Sequence, residues 1–223
     1  MNSGKFCVKN VDTASISDAA DSLYMSEGWL SSIVPRTPGS HAIGPAYTVL
    51  YESVDNSKDK KFRNAANYID DVPPGSIIVS VNDTGIACTT WGDLLSITAH
   101  EKGIAGTVIS GFARDIRTIN NIPYPLFSTG VSMLSAKNRI RLKAVQIPVE
   151  VDGVTINPGD LIAADDNGVI SISSDNASEV LSRAISVESV ERDIAFAVQH
   201  GESLEAAREK YGYATPWSRA KSL

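Results

Sequence analysis

Two short apolar runs joined by a segment of helix length constrain the fold more than any other feature of this chain. Residues 76–81 and 104–109 are rich in isoleucine and valine, which is typical of buried strands. The segment between them, about 91–102, is predicted to form a helix that Gly103 ends. A strand–helix–strand connection of this length places its two strands parallel in one sheet. The sequence therefore predicts an α/β protein with a parallel βαβ centre.

Local signals predict further elements on both sides of this centre. Ser15 and Asp18 fit a capping box at the start of a first helix, which Gly28 would end. The elements predicted around the centre are a helix at 15–27, a strand at 46–51, a helix at 60–69, a short helix from about Asp115 and a strand at 124–127.

In the last third of the chain, the sequence pattern changes from strands joined by helices to short strands joined by turns. Apolar residues alternate with polar ones around residues 140–144, and Asp152-Gly153 is a strong hairpin signal. This pattern predicts an antiparallel meander, so the sheets are mixed. The elements predicted here are strands at 149–151, 154–156, 161–164 and 169–172, a long helix at 176–200 and a shorter one at 203–210. We expect one domain over residues 1–223, with a core at about 15–175 and a helical extension at 176–223.

Composition excludes several classes of protein. The chain has 223 residues and a formal charge of -6, which disfavours nucleic acid as a partner. A basic cluster at 58–63 has acidic neighbours and is interpreted as a solvated helix face. No apolar run has the length of a membrane span, and residues 1–7 lack the apolar core of a signal peptide, so we expect a cytoplasmic protein. Cys7 and Cys88 are expected to be free thiols.

Charged residues follow both central strands. Arg114 and Asp115 come after the second strand, and Asp93 follows the first, with 20 residues between Asp93 and Arg114. Parallel strands bring the two following loops to the same edge of the sheet, where α/β proteins bind ligands. An arginine binds carboxylate or keto oxygens with a two-pronged fork, and an aspartate holds a hard divalent cation. This edge is therefore a candidate site for metal-assisted chemistry on a small oxyacid.

Each half of this candidate site has a simpler interpretation. Thr90 and Asp93 fit a capping box, in which Asp93 would only stabilise a helix start. The same helix start would also offer free N–H groups to a carboxylate, and Gly92 would allow a close approach. Arg114 and Asp115, for their part, would on the simpler interpretation form a surface ion pair without a role.

The long C-terminal helix offers two further acidic candidates. Its apolar residues recur at helical spacing and form one stripe, Val180, Ala184, Val187, Ile194 and Val198. Glu191 falls on this stripe and Glu188 lies at its flank. Either both carboxylates reach water at the edge of the packed face, or one of them reaches the site of a neighbouring subunit.

Other catalytic signatures are missing from the sequence. It contains no glycine-rich dinucleotide fingerprint, no phosphate-binding loop and no Gly-x-Ser-x-Gly elbow. The acidic turn at 165–168 lacks the ligand spacing of a calcium loop. No lysine is marked as a former of Schiff bases, which favours a metal route for chemistry on a small oxyacid.

Four motifs in fixed order carry a family resemblance. They are Gly92-Asp93-Leu94-Leu95, residues 106–115 ending in Arg114-Asp115, Pro125-Leu126-Phe127, and residues 154–160 followed by 165–168. Over about 15–210 the sequence resembles the RraA-like family, which contains 4-hydroxy-4-methyl-2-oxoglutarate aldolase and the regulator of ribonuclease activity A.

The resemblance implies a role for each residue of the candidate site. Amides of Gly92, Asp93, Leu94 and Leu95 would bind the pyruvoyl part of the substrate. Arg114 would contact its keto and carboxylate oxygens, and Asp115 would hold Mg²⁺ or Mn²⁺. Asp93 would orient Arg114 or a water. The glutamate that an adjacent subunit contributes in the aldolases matches Glu191 best and Glu188 second.

The resemblance also implies a fold, an assembly and an activity. The fold would be a swivelling β/β/α domain, and the chain would form a homotrimer or a dimer of trimers. The activity would be a metal-dependent retro-aldol cleavage that releases pyruvate from a 4-hydroxy-2-oxo acid such as 4-hydroxy-4-methyl-2-oxoglutarate, with oxaloacetate decarboxylation as a side reaction. The alternative is a non-catalytic regulator that binds an RNA-degrading enzyme, and the presence of both Asp93 and Asp115 favours the enzyme. Without a nucleotide fingerprint, a methyltransferase is disfavoured.

Overall fold

The computed structural model describes residues 11–25, 28–54 and 67–221. These residues form two compact units, a sheet unit of residues 28–174 and a helical unit that combines residues 11–25 with 175–221. Cys7, the basic cluster at 58–63 and most of the helix predicted at 60–69 lie outside the described residues. Ile69–Asp71 is a short 3-10 helix. The prediction of a single domain with a helical extension stays a prediction.

Besides the 3-10 helix, the sheet unit contains eleven strands and two α-helices within its described residues. In chain order they are β1 Val34–Pro35, β2 Ala42–Ser53, β3 Ile77–Val81, β4 Thr89–Trp91, α2 Asp93–Glu101, β5 Gly106–Ala113, α3 Ile116–Ile119, β6 Leu126–Val131, β7 Ile140–Val145, β8 Val149–Val151, β9 Val154–Ile156, β10 Leu161–Asp165 and β11 Gly168–Ile172.

Nine of these strands form one mixed sheet in the order β1-β6-β5-β3-β2-β10-β11, with β4 paired to β5 and β7 paired to β2. The pairs from β2 through β3 and β5 to β6 are parallel, whereas β1, β7, β10 and β11 pair antiparallel. Just before β1, the Leu30 N–H donates to the carbonyl of Val169 in β11, which nearly closes the sheet. The predicted α/β class with a parallel βαβ centre is confirmed.

The central strands are buried on both faces. In β3, Ile77, Val79 and Val81 pack on one side with the β8–β9 hairpin, while Ile78 packs on the other side with the aromatic residues of β2. Both faces are covered, and this explains why the run at 77–81 is almost continuously apolar instead of alternating.

The C-terminal third differs from a simple meander. Two hairpins form as predicted, β8–β9 and β10–β11. However, β7 and β10 both pair with β2, and the β8–β9 hairpin is a separate two-stranded sheet. Strand β2 has twelve residues, twice the predicted length, and so accepts β10 along its first half and β7 along its second.

The helical unit consists of three α-helices and a final 3-10 turn. They are α1 Thr13–Asp21, α4 Ala177–Gln199, α5 Leu204–Tyr211 and the turn Pro216–Lys221. The long helix and the shorter one that follows are confirmed, and α1 and α5 both pack on α4. Val198 is 40% exposed, so the buried stripe of α4 ends before it.

The first helix begins earlier and ends earlier than predicted. Asp12, not Ser15, is its N-cap, because the Asp12 carboxylate accepts the Ser15 N–H at 2.7 Å. The Asp12 N–H in turn donates to Oε1 of Glu188 at 2.8 Å, and this tertiary contact fixes the cap. The helix stops at Asp21, before Gly28.

None of the described helices is long and apolar enough to cross a membrane.

Candidate active site

A strand that the sequence did not predict assembles the candidate site. Strand β4 pairs parallel with the second half of β5, so that Trp91 lies opposite Ala113. The Arg114 N–H donates to the Trp91 carbonyl at 3.0 Å, which fixes the chain directly after each strand. The start of α2 and the Arg114-Asp115 pair therefore meet at one edge of the sheet, as we predicted from the parallel pairing of the two central strands.

Gly92 is required at this edge because of space. A Cβ at this position would lie 2.7 Å from Oδ2 of Asp115 and 3.4 Å from Nε of Arg114. Its φ of -151° is extended, so the backbone conformation alone would accept any residue. The absence of a side chain lets both charged groups rest against the start of α2.

Asp115 adopts an unusual backbone conformation. Its φ of 60° and ψ of 27° are left-handed, a region that aspartate tolerates better than most residues. The carboxylate turns back toward α2, where Oδ2 accepts the Asp93 N–H at 3.4 Å. Left-handed residues outside glycine cluster at binding sites, where the surrounding structure holds them in place.

Arg114 and Asp115 form an ion pair, with Nε of Arg114 3.2 Å from Oδ2 of Asp115. Both side chains are partly exposed, at 40% and 35%. The simpler interpretation of the sequence predicted such a pair, and a pair this exposed adds only about 0–1 kcal/mol to stability. Neither Nη atom of Arg114 bonds to another described residue, so its outward fork is available to an oxyanion.

The start of α2 carries the remaining predicted residues. Asp93 is the first residue of the helix, and its Oδ1 accepts the Leu94 N–H at 2.8 Å. Within the described part of the chain, the Leu95 N–H has no acceptor. Leu94 is 76% exposed. The helix start therefore presents one unused N–H group beside Arg114 and Asp115.

The predicted capping box of Thr90 and Asp93 is wrong. Gly92 is the N-cap of α2 and has no capping side chain, whereas Thr90 belongs to β4 and its Oγ1 accepts a hydrogen bond from Ser80 in β3. Pairing with β5 holds residues 89–91 extended, so the helix begins at Asp93. Ser96 secures this start, because its hydroxyl accepts the indole N–H of the buried Trp91 at 2.8 Å and donates to the Gly92 carbonyl.

The end of β6 forms a third part of the site that the sequence did not predict. Val131 lies opposite Ala113 in the parallel pair of β6 and β5, and the Ser132 N–H donates to the Ala113 carbonyl at 3.0 Å. Beside this strand end is an open cleft of about 420 Å³, lined by Ala113, Arg114, Asp115, Ile116, Val131, Ser132 and Met133. The sequence did contain one indication of this part of the site. A strand was predicted at 124–127, and the carboxyl end of a further parallel strand would lie at the same edge of the sheet.

The donor set at the site fits one kind of metal ion. The described residues contain no group of three or more His, Cys, Asp or Glu side chains that would hold an ion alone. Magnesium, however, uses one or two carboxylates and fills its shell with water and substrate oxygens. Oδ1 of Asp115 has no bond to a described residue and is free to act as such a ligand.

Glu188 and Glu191 belong to the helical unit, and their surroundings differ. The Glu188 carboxylate holds the N–H of Asp12. Glu191 lies on an open cavity of about 390 Å³ between α4 and α5, which Arg208 also lines. Desolvation, followed by the charges of Asp12, Asp18 and Glu188, raises the pKa of Glu191. Of the two, Glu191 is the one whose carboxylate has no hydrogen bond or ion pair with a described residue.

The raised pKa of Glu191 predicts that Glu191→Gln stabilises the helical unit at neutral and alkaline pH. The folded protein disfavours the charged form of the Glu191 carboxylate. The carboxyl group therefore stabilises the fold most at a pH below its pKa in the unfolded chain, and this stabilisation is lost as the pH rises through its pKa in the folded protein. The variant should therefore melt at a higher temperature than the wild type at pH 8, and the difference should vanish near pH 4. Circular dichroism melts measure this, with Glu150→Gln, an exposed change in β8, as the control. A Glu191→Gln variant that is less stable at pH 8 would contradict the prediction.

The fold and the site define a class, an α/β protein with an Arg-Asp pair and a helix start at one edge of a mixed sheet. The sequence profile of the RraA-like family, described as Aldolase/RraA, matches residues 13–171. A relative from Halalkalibacterium halodurans, provisionally named 4-hydroxy-4-methyl-2-oxoglutarate aldolase, is 32% identical over 79% of this chain and 79% of its own length. This chain therefore belongs to the RraA-like family.

Further similar proteins carry different descriptions. Protein DlpA of Legionella pneumophila is 48% identical over 93% of this chain, and the chain spans only 34% of DlpA. A solved, uncharacterised protein from Pseudomonas syringae is 48% identical with a TM-score of 0.79, covering 89% of this chain and 93% of its own. Streptomyces coelicolor RraAS2, described as an unusual member of the RNase ES inhibitor RraA family, is 26% identical with a TM-score of 0.71, covering 82% and 91% of the two chains.

Proposed function

We propose that this chain is a divalent-metal-dependent carbon–carbon lyase that releases pyruvate from 4-hydroxy-2-oxo acids, with oxaloacetate decarboxylation as a second activity. The observation that carries the proposal is the meeting of three groups at one sheet edge. Nε of Arg114 and Oδ2 of Asp115 pack against Gly92 at the start of α2, while the Nη atoms of Arg114, Oδ1 of Asp115 and the N–H of Leu95 have no bond to a described residue. These groups suit a substrate that carries adjacent carboxylate and keto oxygens.

Arg114 has the central role in this reaction. In the cleavage, a base takes the proton of the C4 hydroxyl, and C4 becomes the carbonyl carbon of the departing aldehyde or ketone. The C3–C4 bond breaks, its electron pair forms the C2–C3 double bond, and the negative charge comes to lie on the C2 oxygen of the pyruvate enolate. Protonation at C3 then completes pyruvate. The guanidinium of Arg114 supplies a fixed positive charge where the negative charge develops, and such preorganised charge lowers the barrier. Decarboxylation of oxaloacetate develops the same charge at the same oxygens.

Asp115 would hold Mg²⁺ or Mn²⁺ through Oδ1, with water and the substrate completing the shell. When bound, the cation supplies Lewis-acid stabilisation of the 2-oxo acid oxygens. Asp93 would orient Arg114 or a water, since its backbone N–H already binds Asp115. At the helix start formed by Gly92, Asp93, Leu94 and Leu95, the unused N–H of Leu95 would receive the carboxylate of the substrate, because the N–H groups of Asp93 and Leu94 already bind carboxylates.

The proposal includes a homo-oligomer, either a trimer or a dimer of trimers, in the cytoplasm. The helical unit exposes Ile185, Phe196 and Val198 on α4, and an oligomer would cover such apolar surface. In this assembly Glu191 would approach the metal of an adjacent subunit. Light scattering after size-exclusion chromatography measures the mass of the assembly.

The rival is a regulator that binds an RNA-degrading enzyme. Its support is the likeness to RraAS2, whose description names an RNase ES inhibitor. A regulator has no use for an aspartate that holds Arg114 and retains a free carboxylate oxygen. The presence of Asp115 in this arrangement favours the enzyme.

Pyruvate release with and without metal tests the proposal. The protein is stripped with a chelator and assayed with oxaloacetate, 4-hydroxy-4-methyl-2-oxoglutarate and 4-hydroxy-2-oxo acids that carry alkyl groups on C4. Reactions without protein correct for the spontaneous decay of oxaloacetate in the presence of metal. We expect release only after Mg²⁺ or Mn²⁺ is added back, because cation stabilisation of the enolate contributes several kcal/mol.

Two results would contradict the proposal. Full activity in the chelated sample would exclude the metal-dependent class. No release from any substrate with metal present would favour the regulator, and a pull-down with RNA-degrading enzymes would then test that function.

A further inference from the structure

The cleft next to Arg114 and Asp115 has an apolar wall. Of its seven lining residues, four carry apolar side chains, namely Ala113, Ile116, Val131 and Met133. Val131 is 56% exposed and Met133 is 95% exposed. Apolar side chains with this much exposure beside a polar pair form a surface that an apolar ligand group would cover favourably.

The backbone fixes this wall beside the charged pair. Val131 is the last residue of β6 and lies opposite Ala113, the last residue of β5. The Ser132 N–H donates to the Ala113 carbonyl. This hydrogen bond continues the pairing one residue beyond the end of β6, next to Arg114 and Asp115. Val131 and Met133 therefore line the same cleft as the guanidinium of Arg114.

The polar group on this wall is already engaged. The Ser132 hydroxyl donates to the Ala87 carbonyl at 2.9 Å and accepts the Leu134 N–H at 3.1 Å. It belongs to the loop structure, so it offers little to a ligand. The side chains that remain for contact with a ligand on this side are apolar.

The charges in the cleft serve a single carboxylate. Among the described residues that line it, Arg114 is the sole cation, and Asp115 already neutralises it. The carboxylate and keto oxygens at C1 and C2 of a 2-oxo acid would occupy its fork. A second carboxylate, attached at C4, would face Val131 and Met133, whose side chains offer it neither a cation nor a hydrogen-bond donor.

We propose that the group beyond C4 of the substrate is an uncharged alkyl or aryl substituent that packs on Ile116, Val131 and Met133. This inference rests on the proposed function and names its substrate class. It makes the chain a pyruvate-releasing lyase for monocarboxylic 4-hydroxy-2-oxo acids, in contrast to the dicarboxylic 4-hydroxy-4-methyl-2-oxoglutarate.

A matched pair of substrates tests this class. 4-Hydroxy-2-oxoglutarate and 4-hydroxy-5-methyl-2-oxohexanoate differ in one group of equal heavy-atom count, a carboxylate or an isopropyl group on C4. We expect kcat/KM to be about tenfold higher for the isopropyl substrate, and to rise about two- to fourfold for each methylene that the cleft covers.

Substitutions on the wall should remove the preference. Met133→Lys places a cation beside the C4 substituent and should shift the ratio of the two kcat/KM values about tenfold toward the dicarboxylate. Val131→Lys should do the same from the strand end. Ile97→Lys is the control, because Ile97 is a similarly exposed apolar residue on α2 that does not line the cleft, and it should leave the ratio within about twofold.

Binding of ligands that cannot be cleaved separates this inference from the proposed function. 5-Methyl-2-oxohexanoate should bind more tightly than 2-oxoglutarate, and Met133→Lys should make the two affinities about equal, even if no substrate is cleaved. Failure of all substrates would reject the lyase, while the ratio of the two affinities would still test the cleft. A wild type that prefers the dicarboxylate in both measurements, or a Met133→Lys variant that changes neither ratio, would overturn the inference.

Discussion

Replacing Arg114 by alanine is expected to lower kcat/KM for pyruvate release by about a thousandfold, or about 4 kcal/mol. The physical reason is that the guanidinium is the fixed positive charge beside the developing enolate. The side chain is 40% exposed and its ion pair contributes little to folding, so the melting temperature should hardly change. Steady-state assays with oxaloacetate and with a 4-hydroxy-2-oxo acid measure the effect.

Two further variants make this result specific. Arg114→Lys keeps the charge and loses the fork, so it should recover only part of the activity. Arg117→Ala removes an arginine of α3 that does not line the cleft, and it should retain nearly full activity. Equal activity of Arg114→Ala and Arg117→Ala would contradict the role of Arg114.

Asp115→Asn is expected to abolish metal-dependent activity, with a loss of about a hundredfold or more, because a neutral amide is a poor ligand for a hard divalent cation. Asparagine tolerates the left-handed backbone at this position, and its amide oxygen still accepts the Asp93 N–H. The variant should therefore fold normally and require far more Mg²⁺ for any remaining activity. Titration of activity against Mg²⁺ concentration measures this requirement.

The chain supplies a matched control for this substitution. Asp152 also has a positive φ, at 52°, and its carboxylate accepts the Ser32 N–H in the hairpin turn between β8 and β9. Asp152→Asn makes the same chemical change at the same type of backbone position, away from the candidate site. It should leave the Mg²⁺ requirement unchanged. A similar effect in both variants would assign the loss to backbone conformation or to net charge.

The sequence predicted the centre of the fold because local and tertiary preferences agree there. The runs that became β3 and β5 are apolar, are buried on both faces and are joined by a helix, so composition and connection length lead to the same answer. The meeting of Asp93 with Arg114 and Asp115 followed from parallel pairing alone. Their individual contacts did not, because side-chain direction depends on Gly92 and on the left-handed backbone of Asp115.

The errors lie where a local pattern fits two structures equally well. Thr90 and Asp93 have the spacing of a capping box, but pairing of β4 with β5 draws Thr90 into the sheet. Asp12 and Ser15 both suit a helix start, and a distant contact with Glu188 selects Asp12. In each case a long-range hydrogen bond decides, and it leaves no trace in the local sequence.

The wall of the cleft was missed for a related reason. The strand predicted at 124–127 was ended at 127 because the next four residues, Ser-Thr-Gly-Val at 128–131, lack the apolar pattern of a strand. Pairing with β5 extends β6 to Val131 and brings Val131 and Met133 beside Arg114. The residues inferred to select the substrate thus depend on a strand extension that only the neighbouring strand explains.

Calorimetric titration of oxalate tests most directly the central claim that Arg114 and Asp115 hold a 2-oxo acid together with a divalent cation. Oxalate resembles the enolate of pyruvate and does not react. We predict that oxalate binds to the wild type when Mg²⁺ is present and binds at least about tenfold more weakly after chelation. In Asp115→Asn, adding Mg²⁺ should not increase the affinity for oxalate. Oxalate binding of equal strength with Mg²⁺ and with a chelator, in the wild type and in Asp115→Asn alike, would contradict the account.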